Sequence, residues 1–168
     1  MYISDLLTAD CIELAADVKT KDEVIARLAE LLEKNGIVTD KALFSEAVMA
    51  REALGSTGIS AGIAIPHAKS EAVARPGLSV ITVPDGVDFQ ARDGKPSRIF
   101  FMIAAPKDAN DLHIEMLGHI SLILIDAANR EKLLQADSAA RFLSYLDRME
   151  AKKFVGVDRG EPAARLQV

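Results

Sequence analysis

The sequence lacks the features of a secreted or membrane-spanning chain. Cys11 is the one cysteine among 168 residues, so neither an internal disulfide nor a CxxC redox or zinc site can form, and we interpret it as a small filler. No apolar run approaches the roughly 20 residues that span a bilayer. The first residues, MYISDLLTADCIEL, lack the basic start and long apolar stretch of a signal peptide. We therefore expect a protein that stays in the cytoplasm.

The composition excludes several further classes. Tryptophan is absent and aromatic residues make up only 5%, but apolar residues reach 49% and charged residues 27%, which is typical of a globular chain and not of a fibrous or disordered one. The length predicts a single domain with a substantial core. The formal net charge of −5 argues against nucleic-acid binding, because affinity for a phosphate backbone comes from clustered lysines and arginines.

Two amphipathic helices are predicted in the first third of the chain. The first follows a capping box at Thr20 and Glu23, continues with apolar residues at helical spacing, and stops at Gly36. The second begins near Asp40, carries an apolar stripe along one face, and ends at Gly55.

The remaining elements follow from short β-prone runs and from apolar periodicity. Residues 55–62, GSTGISAG, predict a loop, and residues 85–94 are turn-rich with room for one short strand. Strands are predicted at 63–65, 78–83 and 98–105, and further helices at 111–129, 130–136 and 138–151. This alternation favours an α/β sandwich whose central sheet is flanked by helices on both faces. Because periodicity is lost towards the C-terminus, we predict one domain at 1–150 and a linker or tail at 151–168.

Nucleotide-binding and zinc-protease motifs are missing, which directs attention to the histidines. The sequence contains no Gly-x4-Gly-Lys-Ser/Thr loop, no GxGxxG and no HExxH. Of the three histidines, His119 lies four residues after Glu115 and seven before Asp126, on a polar strip of the predicted third helix. We therefore predict that His119 is solvated or ion-paired on the surface.

His67 is the strongest candidate for chemistry. It directly follows Pro66, whose fixed φ ends the predicted strand before it and sets the direction in which the histidine side chain leaves. Small residues surround it, among them Ala64, Ala68 and Ser70, and they leave room for the reactive group of another protein. The alternative is an ordinary surface histidine after a turn.

Arg51 is a second candidate. It lies seven residues after Phe44, on the same stripe of the second helix and near its end, so its guanidinium would point toward the loop at 55–62. The planar fork of an arginine suits phosphate oxygens. Alternatively, Arg51 satisfies carbonyl groups at the helix C-terminus or pairs with Glu52 or another acid.

His113 would occupy the first turn of the third helix if Asp111 or Asn110 is the N-cap. Its neighbours at helical spacing, such as Met116 and Leu117, are apolar. Near a helix N-terminus the dipole disfavours an imidazolium, so we expect a neutral ring with one N–H free to donate.

Three separated motifs together resemble a known family. The segments REALGSTG (51–58), GIAIPHA (62–68) and DLHIEML (111–117) are similar to those of the EIIA domain of the fructose and mannitol class of the sugar phosphotransferase system. The resemblance covers roughly residues 1–150. The segments DGVDFQ (85–90) and DGKP (93–96) look most like fructose-type members. Ala61 and Ala68 depart from the residues of many relatives, but neither departure removes a chemical group that the mechanism needs.

The resemblance implies a fold and a phosphoryl-transfer role. It implies a sandwich around a mixed sheet, in which His67 accepts a phosphoryl group from the phosphohistidine of the carrier HPr and passes it to a cysteine of an EIIB domain. This serves sugar uptake, of fructose in the most similar type, through the membrane component EIIC. By matching motif positions, Arg51 and His113 are implied to stabilise the phosphorylated histidine. The scheme requires no cofactor and no bound metal.

Attack by a histidine on phosphorus places one requirement on the ring, and two alternative functions stay open. A neutral imidazole attacks through one nitrogen, so the other must be held as N–H by a carbonyl or similar acceptor. One alternative function is a regulatory EIIA-like module whose phosphorylation state controls a partner protein. The other is a metal-dependent hydrolase that uses His67, His113 and an acid.

Overall fold

A computed structural model describes residues 1–109 and 111–154. Within them, the strands are β1 Ile12–Glu13, β2 Ile63–Ala64, β3 His67–Ser70, β4 Gly77–Val87 and β5 Ser97–Pro106. The helices are α1 Lys21–Lys34, α2 Lys41–Ala53, α3 Leu112–Leu124, α4 Ala127–Leu134 and α5 Ala139–Lys153. Two short 3₁₀ turns at Ile3–Asp5 and Ala9–Cys11 precede β1.

The strands form one mixed sheet. The order is β1-β4-β5-β2, and β3 also pairs with β5, beyond the end of β2. Strands β4 and β5 are antiparallel, whereas β1 runs parallel to β4, and β2 and β3 run parallel to β5. The long β4–β5 pair is therefore the centre of the sheet, and β2 and β3 together make a single interrupted edge.

Helices cover both faces of this sheet, which confirms the predicted α/β sandwich. On one face, the Ser79 hydroxyl of β4 donates to the carbonyl oxygen of Leu28 in α1 at 3.0 Å. On the other, the ring of Phe101 in β5 lies 6.2 Å from the ring of Phe142 in α5. Ser79 pairs in register with Met102, the residue next to Phe101. Because successive side chains of a strand alternate between faces, α1 and α5 lie on opposite sides. Helix α3 packs against β5.

The first two helices begin where capping residues predict. The Thr20 side chain accepts from the backbone N–H of Glu23 at 3.2 Å, and the Asp40 side chain accepts from that of Leu43 at 3.1 Å. Each bond satisfies one N–H group that a helix start leaves without a partner. Gly36, with φ +72°, follows α1 in the left-handed conformation that ends many helices.

The prediction of one helix over 111–129 was wrong. Helix α3 ends at Leu124, and the Asp126 side chain accepts from the N–H of Ala128 at 2.9 Å, so Asp126 caps the new helix α4. The apolar run continues through the break, and periodicity alone therefore hides it. The helix predicted at 130–136 accordingly starts earlier, at Ala127.

Two of the outer strands, β1 and β3, were not predicted. Strand β1 has only two residues, and β3 has the sequence HAKS, which offers no apolar alternation. Strand β4 is longer than predicted and reaches Val87 through an irregularity after Thr82, so the short strand expected within 85–94 is the end of β4.

The C-terminal end of the fold is α5, which continues to Lys153, two residues past its predicted end. Of the predicted linker or tail at 151–168, residues 155–168 lie outside the described residues. Among the helices that are described, none is long and apolar enough to cross a membrane.

Candidate functional site

The candidate site lies at the interruption between β2 and β3. Here Ile65 turns its backbone N–H away from the sheet and donates to the carbonyl of Thr57 at 3.1 Å. Pro66 has no N–H to give, but its carbonyl accepts from Ile103 of β5 at 3.0 Å. The chain then rejoins the sheet at His67. The sequence predicted that His67 is simply the residue after a strand end. In the structure it begins a second strand.

The imidazole of His67 is held by its own chain. Its Nδ1 lies 2.8 Å from the carbonyl oxygen of Ile65. Because a carbonyl oxygen can only accept, Nδ1 must carry the hydrogen, and the lone pair of the neutral ring is then on Nε2. The side chain is half-buried. The ring is therefore oriented as a nucleophile through Nε2, and the acceptor that its chemistry requires is present.

His113 lies beside His67. It is the second residue of α3, whose N-cap is Asp111, and its ring centroid is 6.3 Å from that of His67, with 35° between the ring planes. His67 pairs in register with Ile103 of β5, which lies two residues after Phe101. The His67 side chain is therefore on the same sheet face as Phe101, the face that α3 and α5 cover. The structure therefore brings the two predicted histidines together at the N-terminal end of a helix.

Arg51 is tied to the loop next to these histidines. It lies in the last turn of α2, and its Nη1 donates to the carbonyl oxygen of Gly55 at 2.8 Å. This is the alternative in which the guanidinium satisfies a carbonyl near the helix end. The same loop holds Ile65 through Thr57, so Arg51 and His67 are anchored to one segment. An arginine fork has further N–H groups available for an anion.

Comparison with known proteins decides the family. A family model described as "Phosphoenolpyruvate-dependent sugar phosphotransferase system, EIIA 2" matches residues 5–149. The chain belongs to this EIIA family.

Two relatives illustrate the range of proteins in which this EIIA module occurs. The chain is 39% identical over 147 residues to a fructose-specific EIIABC component of Bacillus subtilis, and the match covers 88% of this chain but only 23% of that protein. It is 36% identical over 136 residues to a fructose-specific EIIA component of Haloferax volcanii, covering 81% of this chain and 88% of that one.

Solved EIIA-like structures share the fold. The nitrogen regulatory protein IIA-Ntr from Neisseria meningitidis superposes with a TM-score of 0.80 at 31% identity, over 86% of this chain and 98% of that one. The mannitol enzyme IIA of Escherichia coli, in a complex with phosphorylated enzyme IIB, gives a TM-score of 0.73 at 29% identity, over 84% and 97%.

A buried polar network that the sequence did not predict supports the site loop of this EIIA domain. The Glu52 carboxylate, next to Arg51, is 2% exposed and lies 2.8 Å from Lys21 Nζ. It also accepts from the backbone N–H of Thr57 at 3.1 Å and from the Thr57 hydroxyl. Glu52 therefore fixes the residue whose carbonyl holds Ile65, two positions before His67. The alternative in which Arg51 pairs with Glu52 is therefore not the one that the structure adopts.

The far side of the loop rests on residues 88–93. The Ser56 hydroxyl donates to the carbonyl of Phe89 at 2.6 Å, and the N–H of Ala61 donates to Asp93 Oδ2 at 3.2 Å. Hydrogen bonds from the backbone N–H groups of Lys95 and Ala61 hold the pKa of the Asp93 carboxyl below its usual range. Ala61 adopts φ +58°, so the turn imposes a left-handed conformation on a residue with a Cβ.

His119 is not the surface residue that its polar strip predicted. Its side chain is 12% exposed, its Nδ1 lies 3.1 Å from Oε2 of the fully buried Glu150 in α5, and its ring stacks on Phe154 at 4.1 Å. It is paired, but with neither Glu115 nor Asp126. The partner is 31 residues away in the sequence, so helix periodicity could not reveal it.

Neither a metal-binding cluster nor a reactive thiol is found among the described residues. In the described parts of the chain, no three His, Cys, Asp or Glu side chains are grouped so as to hold a metal ion. Burial raises the pKa of the Cys11 thiol, which favours its unreactive protonated form.

Proposed function

We propose that this EIIA protein is a phosphoryl carrier, which accepts a phosphoryl group on His67 from phospho-HPr and passes it to a cysteine of an EIIB domain. The exchange takes place in the cytoplasm, as we expect from the sequence. The observation that carries the proposal is the hydrogen bond between His67 Nδ1 and the Ile65 carbonyl, because it presents Nε2 as the nucleophile.

The first transfer needs only alignment of two histidines. Nε2 of His67 attacks phosphorus while the phosphorus–nitrogen bond to the histidine of HPr breaks, and the electron pair of that bond returns to the HPr imidazole. No proton has to move, because Nδ1 of His67 keeps its hydrogen and the Ile65 carbonyl stabilises the positive charge that develops on the ring. Phosphoryl transfer asks little more of a protein than positioning and charge stabilisation.

His113 and Arg51 are the residues that we assign to charge stabilisation. The His113 ring lies next to that of His67, and its Nδ1 is shielded from solvent, so we assign Nε2 of His113 the contact with the phosphoryl oxygens. The position of His113 in the first turn of α3 adds the partial positive charge of the helix end. Arg51 supplies the guanidinium N–H groups that Gly55 leaves unused.

The second transfer reverses the first with a different acceptor. A cysteine thiolate attacks the phosphorus, the phosphorus–sulfur bond forms, and the electron pair of the broken bond returns to Nε2 of His67. A complex of an EIIA relative with phosphorylated enzyme IIB supports an EIIB domain as this acceptor. The membrane component EIIC then takes part only indirectly, through EIIB. We propose fructose as the sugar, because two relatives at 39% and 36% identity are fructose-specific components.

A regulatory role is the second candidate. The superposition with a nitrogen regulatory protein at a TM-score of 0.80 supports it. The His67 chemistry would be the same in a regulator, but the phosphoryl group would stay on His67 and alter the binding of another protein. Addition of an EIIB domain separates the two functions, because a carrier loses its phosphoryl group to the EIIB cysteine and a regulator keeps it.

Phosphorylation in vitro tests the proposal. We expect that incubation with enzyme I, HPr and phosphoenolpyruvate adds one phosphoryl group to the chain, and that His67→Ala abolishes the addition. Mass analysis under alkaline conditions, which preserve phosphohistidine, measures the result.

The matched control is His67→Gln, which removes the nucleophile but retains a polar side chain at a half-buried position. Circular dichroism should show that it keeps the fold. Normal phosphorylation of the folded His67→Gln or His67→Ala protein would disprove the assignment of His67.

A further inference from the structure

A basic groove lies between α4 and α5, away from the phosphorylation site. It has a volume of about 500 Å³, and Lys132, Arg148, Lys152 and Lys153 contribute its four cationic side chains. One carboxylate, that of Asp126, is also part of its wall. Four cations in one concavity are unexpected for a chain whose formal net charge is −5.

In the part of the chain that the structure describes, none of the four cations forms an ion pair. Within residues 1–109 and 111–154, no carboxylate oxygen lies within 4.0 Å of their side-chain nitrogens. Two of them are placed by an aromatic ring, since Lys132 Nζ lies 4.6 Å and Arg148 Cζ 5.8 Å from the ring centroid of Tyr145. Both cations thus lie against the same ring, and a bound anion would be attracted by both.

The α4 side of the groove also offers hydrogen-bond acceptors. The Asn129 amide nitrogen is already used, because it donates to the carbonyl of Ile123 at 2.9 Å, so its oxygen is the end available to a ligand. Asp126 uses Oδ1 to cap α4, which leaves Oδ2. Acceptors of this kind suit ligand hydroxyl groups, whereas lysine and arginine suit phosphate oxygens.

We propose that this groove binds a small polyhydroxylated phosphate monoester, such as a sugar phosphate. The phosphate lies among Lys132, Arg148 and the two C-terminal lysines of α5, and the hydroxyl groups face Asp126 and Asn129. The volume is within the range of small-molecule sites. The groove contains none of the residues assigned to phosphoryl transfer, so this site and the carrier function can fail independently.

The test is a nuclear magnetic resonance titration of the full ¹⁵N-labelled chain. Glucose 6-phosphate is the probe, and inorganic phosphate and glucose are the comparison ligands. We expect saturable shifts of backbone amides in α4 and α5, with weaker binding of inorganic phosphate and no saturable binding of glucose. The double variant Lys132→Gln with Arg148→Gln should bind at least about tenfold more weakly, the loss expected for two charge-assisted contacts.

Two further variants make the result decisive. The double variant Lys152→Gln with Lys153→Gln should also weaken binding. It replaces the first double variant in the titration if that one disturbs the fold. Lys19→Gln with Lys95→Gln removes the same charge from exposed positions outside the groove and should leave binding unchanged. Absence of saturable shifts, equal binding of inorganic phosphate, an equal loss in the control pair, or preference for phosphatidylglycerol vesicles over the soluble ester would overturn the proposal.

Discussion

The three histidines differ in the group that holds each ring. His67 faces a backbone carbonyl at 2.8 Å, whereas His119 faces the buried carboxylate of Glu150 at 3.1 Å. The Ile65 carbonyl fixes the His67 tautomer that has its lone pair on Nε2, whereas the ring of His119 is tied to a buried partner from another helix. His119 is therefore suited to structure, and His67 to attack on phosphorus.

At the same scale, Ala61 is a strained residue of the site loop. Its φ of +58° costs roughly 1–2 kcal/mol for a residue with a Cβ, and asparagine tolerates this conformation better than alanine does. We predict that Ala61→Asn raises the free energy of unfolding by about 0.5–1 kcal/mol, and that the β-branched Ala61→Val lowers it by at least about 1 kcal/mol. Urea denaturation measures both, and a lower unfolding midpoint for Ala61→Asn than for wild type would refute the strain argument.

At the scale of elements, α3 separates two histidines by rotation. Six residues turn a helix through about 600°, which is about 120° short of two full turns, so His113 and His119 cannot face one site. In the structure, His113 meets His67 and His119 meets Glu150 of α5. The N-terminal end of α3 therefore belongs to the site, and the middle of α3 belongs to the packing against α5.

This separation predicts different defects for two alanine variants. His113→Ala should still allow some phosphorylation of His67 but slow onward transfer by roughly ten- to a thousand-fold, the effect of one transition-state donor. His119→Ala should transfer at nearly the normal rate, although the buried Glu150 loses a partner and unfolding becomes easier by about 1–3 kcal/mol.

Rapid-quench measurement of phosphoryl flow from HPr to an EIIB cysteine tests both variants. The assay is run at a temperature at which circular dichroism shows His119→Ala to be folded. A larger transfer defect in His119→Ala than in His113→Ala would show that the wrong face of α3 was assigned.

Elements were predictable from the sequence where local chemistry determines them. The starts of α1 and α2 follow from capping side chains three residues from their partners, and the existence of strands β4 and β5 follows from β-prone runs, although their pairing does not. Strand β3 was not predictable, because its ladder to β5 uses backbone groups that no side-chain pattern records. Local context and motif singled out the two histidines of the candidate site. They did not indicate that Glu52 supports the loop, because its partner Lys21 lies 31 residues away in the sequence.

At the scale of the whole molecule, the fold places the site at an open edge. Strands β2 and β3 form one end of the sheet, and His67 is half-buried there, so two partner proteins can reach it in turn. Among the apolar residues near His67, Ala61 is exposed and Ile59 half-buried, so both are accessible to a partner, whereas Ile63 is 3% exposed and belongs to the core.

One surface must serve both transfers, because each partner has to align a reacting atom with the same nitrogen. We predict that HPr and an EIIB domain compete for the unphosphorylated protein. In a titration followed by fluorescence anisotropy of labelled HPr, EIIB should displace HPr completely. A ternary complex, with both partners bound at saturation, would disprove the shared surface.

The most direct test of the central claim is to identify the nitrogen that carries phosphorus. Phosphorylated protein with ¹⁵N-labelled histidine, studied by nuclear magnetic resonance at alkaline pH, shows phosphorus–nitrogen coupling at the bonded atom. Because Nδ1 of His67 is held by the Ile65 carbonyl, the coupling should appear at Nε2 of His67, while Nδ1 keeps its hydrogen. Coupling at Nδ1 of His67, or at a nitrogen of His113 or His119, would contradict the account.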